Sequence, residues 1–192
     1  MKYQILLYYQ YVEINNPVHF MREQKRICET LNLKGRIIIA HEGINGTVEG
    51  LIEDTEEYID EISKDSRFSG IDFKKSEGNG NAFPKLSVKV RREIVSLHLG
   101  ENDFHPTKLT GKYLTAEELY EWFEQKKEFY IVDMRNDYEQ ASGFFEGSVL
   151  PKLETYRDLP KYLPKLKHLK NKTILTVCTG GVRCEKASGF LI

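Results

Sequence analysis

Residues 173–188 read Thr-Ile-Leu-Thr-Val-Cys-Thr-Gly-Gly-Val-Arg-Cys-Glu-Lys-Ala-Ser. An apolar, β-prone run ends at Cys178, two glycines follow, and helix formers begin near Glu185. This strand–turn–helix signature puts Cys178 at the carboxyl end of a buried strand, where parallel α/β sheets gather their sites. Gly180 and Gly181 let backbone N–H groups turn inward with no Cβ in the way. The N-terminus of the following helix adds donors and the positive end of its dipole. Arg183 adds a full charge. Together with Thr179 and Val182 these residues form a loop that favours a thiolate, so the sequence predicts a nucleophilic Cys178 with a depressed pKa. Cys184 is expected either to resolve an oxidised Cys178 or to pack into the helix start. A single pair of cysteines at this spacing is a poor zinc site, and no metal is expected.

Working outward, Phe129–Asn136 (FYIVDMRN) is a second short apolar strand that ends in charge. Ahead of it, Tyr113–Phe123 (YLTAEELYEWF) reads as a helix, with Thr115 as N-cap and Glu118 completing a capping box. Helices alternating with buried strands over 113–192 predict a parallel α/β domain. Residues 98–112 (HLGENDFHPTKLTGK) carry Gly, Pro and polar groups without a period and read as a linker. Asp137 and Glu139 are expected to be surface charge.

The first half follows a different pattern. Residues 4–12 (QILLYYQYV) are a strand, broken by Asn15-Asn16-Pro17. Pro17 suits the first turn of a helix, which continues to about Leu31 with Phe20, Ile27 and Leu31 at helical spacing. Residues 36–41 (RIIIAH) form a second strand, Glu42 to Gly46 a turn, and a third strand begins at Thr47. His41 and Glu42 are read as part of a satisfied turn. Residues 52–65 form an acidic helix with Ile52, Ile59 and Ile62 as its apolar stripe. A strand is expected near 71–75, and 85–97 (KLSVKVRREIVSL) begins as a half-buried strand. Strand, helix, strand, strand, helix, strand is the ferredoxin-like pattern, an antiparallel sheet with two helices, placed here at 1–97.

Composition sets limits on partners. In 192 residues, 28 Lys and Arg nearly cancel 29 Asp and Glu, which excludes a globally basic nucleic-acid binder and leaves only local patches. One such patch is the face of the 85–91 strand that carries Lys85, Lys89 and Arg91, with Arg92 following. Another is 151–172, with seven Lys and Arg against two Asp and Glu, where Tyr156, Arg157 and Tyr162 are candidates to stack on an unpaired base. Three cysteines without an export signal argue against a disulfide framework and for a reducing compartment. Cys28 is expected to be a small packed residue. No apolar run approaches the roughly 18 residues of a membrane helix, and a cytoplasmic location is expected.

The loop Cys178–Ser188 resembles that of the bacterial rhodanese-like tRNA uridine hydroxylases, the TrhO group. Three further stretches agree: His41-Glu42-Gly43-Ile44-Asn45-Gly46-Thr47, Val132-Asp133-Met134-Arg135-Asn136-Asp137-Tyr138-Glu139, and Glu154-Thr155-Tyr156-Arg157-Asp158-Leu159-Pro160. The resemblance implies a ferredoxin-like domain followed by a rhodanese-like domain. It implies an oxidoreductase that converts the wobble uridine of tRNA to 5-hydroxyuridine with molecular oxygen, with no recognised cofactor. It makes Cys178 the essential residue and lets Asp133 and Arg135 support the loop, a carboxylate there accepting loop N–H bonds. Two departures stand out. Gly143-Phe144-Phe145-Glu146-Gly147-Ser148 replaces a common Gly-His pair, and relatives continue beyond the position of Ile192, so a C-terminally truncated second domain, marginal in isolation, is expected. The loop by itself fits a persulfide-carrying sulfurtransferase equally well. A cysteine phosphatase places one more residue between cysteine and arginine. A non-catalytic RNA-binding module remains open if truncation disables the loop.

Overall fold

Alternation in the first strand is what gives the N-terminal sheet one buried face. In β1 (Tyr3–Tyr11), Leu6, Tyr8 and Tyr11 are buried. The computed structural model describes residues 2–192 and divides into two units, one ending at Val95 and one spanning Ser96–Ile192.

In the first unit, Asn16 caps α1 (Pro17–Thr30) by accepting the His19 N–H at 3.0 Å. β2 (Lys34–Ala40) sends Ile37 and Ile39 into the core. β3 (Gly43–Leu51) begins earlier than the Thr47 expected, because His41 and Glu42 alone make the turn. The Gly43–Gly46 stretch then pairs with both β1 and β2, so its backbone groups are satisfied as strand. α2 (Ile52–Ser63) buries Thr55, Tyr58 and Ile62, whereas Ile52 is exposed. Tyr58 joins the buried stripe because its hydroxyl has partners there: it lies 2.5 Å from the Tyr8 hydroxyl and donates to Gln24 Oε1 at 2.7 Å. Cys28 is fully buried in the same core, which pushes its thiol up to about 12.

β4 (Lys74–Gly78) and β5 (Leu86–Val90) complete a sheet of order β4-β1-β3-β2-β5. The first four strands are antiparallel, in ferredoxin-like order. The expected strand near 71–75 lies instead at 74–78. The strand expected over 85–97 is an added edge strand that runs parallel to β2 and ends at Val90. Between them, the buried Glu49 carboxylate accepts the N–H groups of Asn79, Gly80 and Ala82, which fixes the connecting loop.

In the second unit, α3 (Ala116–Glu124) carries the capping box read from the sequence. β6 (Tyr130–Asp133) and β7 (Ile174–Val177) are parallel, and between them lie α4 (Asp137–Gln140) and α5 (Leu159–Leu166). β7 leads into α6 (Val182–Leu191). β7 is half-buried rather than buried, because β6 is its single partner in a two-stranded sheet. The stretch 98–112, expected as a linker, is tied to α6. Thr110 Oγ1 donates to the Glu185 carbonyl at 2.9 Å and the Gly111 N–H to Ser188 Oγ at 2.8 Å. Asp103 pairs with the fully buried ammonium of Lys186 at 3.1 Å. Gly189 is required for this contact, since a Cβ there would stand 2.4 Å from the Leu109 carbonyl oxygen and 2.6 Å from the Phe104 ring. Among the described residues, no helix is long and apolar enough to cross a membrane.

Candidate functional site: the cysteine loop

β7 ends at Val177, and the chain turns through Cys178, Thr179, Gly180 and Gly181 into α6. The helix starts at Val182, one turn earlier than the Glu185 expected. Gly181 is its N-cap with φ of +99°, a conformation that L side chains rarely adopt. That backbone turns the Gly181 N–H back onto Cys178 Sγ at 3.1 Å. The Cys184 thiol and backbone N–H, in the first turn of α6, also donate to this sulfur, and the Arg183 charge adds attraction. The Cys184 hydrogen bond contributes most, and together these groups outweigh burial and hold the Cys178 thiol well below its ordinary range. Cys184 is pushed the other way by its hydrogen bond to the Cys178 sulfur and by burial. The two shifts run in opposite directions, so negative charge on the pair is favoured on Cys178 and the proton on Cys184.

Arg183 does not face the sulfur alone. Its guanidinium forks onto the Glu139 carboxylate at 2.6 and 2.8 Å. Glu139 also accepts the Thr179 hydroxyl at 3.0 Å and the Asn136 N–H at 3.0 Å. The Arg183 hydrogen bond is the main reason its carboxyl is lowered to about 2. Expected as surface charge, Glu139 is instead the counter-ion that fixes both ends of the loop. The two residues lie 44 positions apart, and no local pattern in the sequence marks them as partners. On the other flank, the Tyr156 hydroxyl donates to the Arg183 carbonyl at 2.9 Å, and the ring is buried. Tyr156 therefore supports the loop and is not free to stack on a base, as its sequence context had suggested.

Asp133 and Arg135 lie beside the loop, with the Met134 N–H donating to the Val177 carbonyl at 2.8 Å. Asp133 is buried, but it accepts from Arg135 and not from loop N–H groups. The Arg135 backbone N–H donates at 3.0 Å and its guanidinium at 2.7 Å. Arg135 passes the contact on to the Gly143 carbonyl at 2.6 Å, which sets the position of the next turn. This turn carries Phe144 and Phe145, both exposed. With Arg135, Gly143, Val177, Cys178 and Thr179 they line a cleft of about 390 Å³. In the sequence the phenylalanines stand out only as a departure from a Gly-His pair, and their place on the cleft rim depends on the fold.

In the first unit, Lys85, Lys89, Arg91 and Arg92 are all exposed, and none is in an ion pair among the described residues. In the 151–172 segment, Lys161 is paired with Asp158 and Lys172 with Glu128, which lowers the free positive charge there. The Glu42 carboxylate accepts the Ile94 N–H at 2.7 Å, in keeping with a satisfied turn. No cluster of His, Cys, Asp and Glu able to hold a metal ion occurs among the described residues.

Residues 3–94 match the UPF0176 acylphosphatase-like domain. Over 191 residues, 99% of its length, the chain is 48% identical to a protein of Bacillus cytotoxicus named tRNA uridine(34) hydroxylase, and it covers 58% of that protein. Proteins of the same name from Bacillus cereus (strain B4264) and Bacillus anthracis (strain A0248) are also 48% identical, with 59% of each covered. The chain thus spans less than two thirds of the length of these curated relatives. Among solved structures, BlrB, a BLUF protein in its dark state, matches 46% of this chain and 71% of its own at 22% identity, with a TM-score of 0.40. A likeness this slight carries no argument.

Proposed function

We propose that this chain, a homologue along 99% of its length of proteins named tRNA uridine(34) hydroxylase, acts in the same oxidation, converting the C5–H bond of the wobble uridine to C5–OH with molecular oxygen. Its second unit then serves as a rhodanese-like domain, and Cys178 is the side chain on which turnover depends. The observation that carries this reading is a cysteine, its thiol held low by the donors around it, lining a cleft that two exposed phenylalanines also line. A base reaches such a site only when turned out of its stack, and aromatic rings then hold its faces. The Cys184 thiol, the loop N–H groups and the Arg183 charge favour the anionic sulfur, and the Arg183–Glu139 pair fixes the loop that carries it. Lys85, Lys89, Arg91 and Arg92 supply phosphate contacts for the RNA, and the reaction takes place where tRNA is found, in the cytoplasm.

The test is nucleoside mass spectrometry of tRNA from cells that lack this activity, complemented with the chain or with its Cys178→Ala variant. Gain of 5-hydroxyuridine with the wild type and none with Cys178→Ala is the expected result. A thiolated nucleoside in its place would establish a sulfurtransferase. No change with either would refute the hydroxylase reading for this chain.

A further inference from the structure

Hydroxylation by molecular oxygen needs more electrons than the substrate gives. Oxidising C5–H to C5–OH supplies two, and reducing both atoms of dioxygen takes four. We infer that Cys178 and Cys184 are a dithiol couple that provides the missing two electrons and ends each turnover as an intramolecular disulfide. The inference rests on the hydroxylase reading and names its electron source.

The geometry supports a pair rather than two separate cysteines. Both thiols are free, half-buried and in mutual hydrogen-bond contact across the Gly180–Gly181 turn. Their mutual contact favours charge on Cys178 and the proton on Cys184, the polarity that thiol–disulfide chemistry starts from. Cys178 lines the cleft whereas Cys184 is not among its lining residues, so one sulfur meets substrate and the other stands behind it. Cys28, fully buried in the first unit with its thiol pushed up to about 12, is no competitor.

The balance closes. Uridine, dioxygen, the Cys178 thiolate, the Cys184 thiol and one proton from solvent yield 5-hydroxyuridine, the Cys178–Cys184 disulfide and one water. The C5–H, O–O and Cys184 S–H bonds break, and the C5–O, S–S and O–H bonds of the hydroxyl and water form. One oxygen atom stays on C5 as hydroxyl and the other leaves as water. Uridine and the two sulfurs are oxidised, dioxygen is reduced, and a further turnover requires an external thiol to reopen the disulfide.

Two measurements on the full chain test this. The first uses no RNA. The chain is equilibrated with mixtures of reduced and oxidised dithiothreitol, and non-reduced peptides are mapped by mass. A Cys178–Cys184 linkage is expected, and failure to form it under any mixture would overturn the inference whatever the activity. In the second, reduced chain is mixed without oxygen with an anticodon stem-loop RNA bearing the uridine, freed of reductant, and then exposed to air. Disulfide and 5-hydroxyuridine should appear in equal amounts, stop after one turnover, and resume when dithiothreitol is added. Cys184→Ser, checked by melting for an intact fold, should lose this reductant-free turnover. Product formed with both thiols still free, or equal product from Cys184→Ser, would overturn the inference and leave the hydroxylase reading standing. A disulfide that forms with no product in any arm would refute that reading and the electron delivery with it.

Discussion

The charge on Cys178 can be read directly from how fast it is alkylated. The thiolate accepts from the Gly181 N–H at 3.1 Å, from the Cys184 N–H and from the Cys184 thiol. Cys184→Ala deletes the thiol donor and leaves both backbone donors in place. A hydrogen bond to a charged group contributes about 1.5–3 kcal/mol, and about 1.4 kcal/mol corresponds to one pH unit. The midpoint of iodoacetamide reactivity against pH should therefore rise by about 1–2 units in Cys184→Ala. It should move less in Cys184→Ser, which keeps a hydroxyl donor. The readout is clean, because Cys28 is buried with its thiol pushed up to about 12 and Cys184 is also shifted upward. The folded pKa of Cys178 lies below that of an unfolded thiol, so its ionisation stabilises the fold fully above the unfolded value and not at all once pH falls through the folded one. The stability gap between wild type and Cys184→Ala from this source should thus be absent below about pH 5, open as pH rises through the two folded pKa values, and stay constant above them. An unchanged alkylation midpoint in Cys184→Ala would refute the account of how this thiolate is held.

Glu139→Gln removes the charge that Arg183 grips at 2.6 and 2.8 Å. Because the carboxylate reaches water, about 1–2 kcal/mol of unfolding free energy should be lost at neutral pH, below the figure for a fully buried pair. With its carboxyl lowered to about 2 from 4.5, the wild-type advantage should be full above pH 4.5 and disappear as pH approaches 2, which denaturant titration across that range would check. Asp103→Ala leaves the fully buried Lys186 ammonium without this partner and should cost about 2–4 kcal/mol. Chemical unfolding monitored at Trp122 measures it, and a loss under about half a kcal/mol would mean that the pair is not holding α6. Phe145→Ala removes one exposed ring from the cleft rim. It should lower kcat/KM toward an anticodon stem-loop about ten- to hundredfold, chiefly through KM, if the ring stacks on the base. Replacing Lys89 and Arg91 together with Ala should weaken tRNA binding and flatten its salt dependence, with a slope change of about two if both touch phosphate.

Most of the secondary structure was legible because it rests on local rules. The Asn16 cap, Pro17 at a helix start, the Thr115–Glu118 capping box and the two apolar runs that became β6 and β7 are near-neighbour effects. What could not be read depends on distant partners. Tyr58 belongs to the buried stripe of α2 because the Tyr8 and Gln24 side chains are there to satisfy its hydroxyl. The 86–90 strand looked like the closing strand of a ferredoxin-like sheet, but 74–78 holds that place beside β1, and 86–90 adds to β2 instead. No period marked 98–112 as structured, because its order comes from Asp103, Thr110 and Gly111 meeting α6.

The same division runs through the candidate site. Sequence alone determined that a strand leads into Cys178, that glycines turn the chain behind it, and that a helix follows near Cys184, because these depend only on the local conformational preferences of the chain. Tertiary structure decided which charge answers Arg183, where the Asp133–Arg135 pair spends its hydrogen bonds, and that Phe144 and Phe145 stand at the mouth of the cysteine cleft. Those are contacts between segments some forty residues apart, such as Glu139 with Arg183. They exist only once the parallel pairing of β6 with β7 has brought the two strand ends side by side.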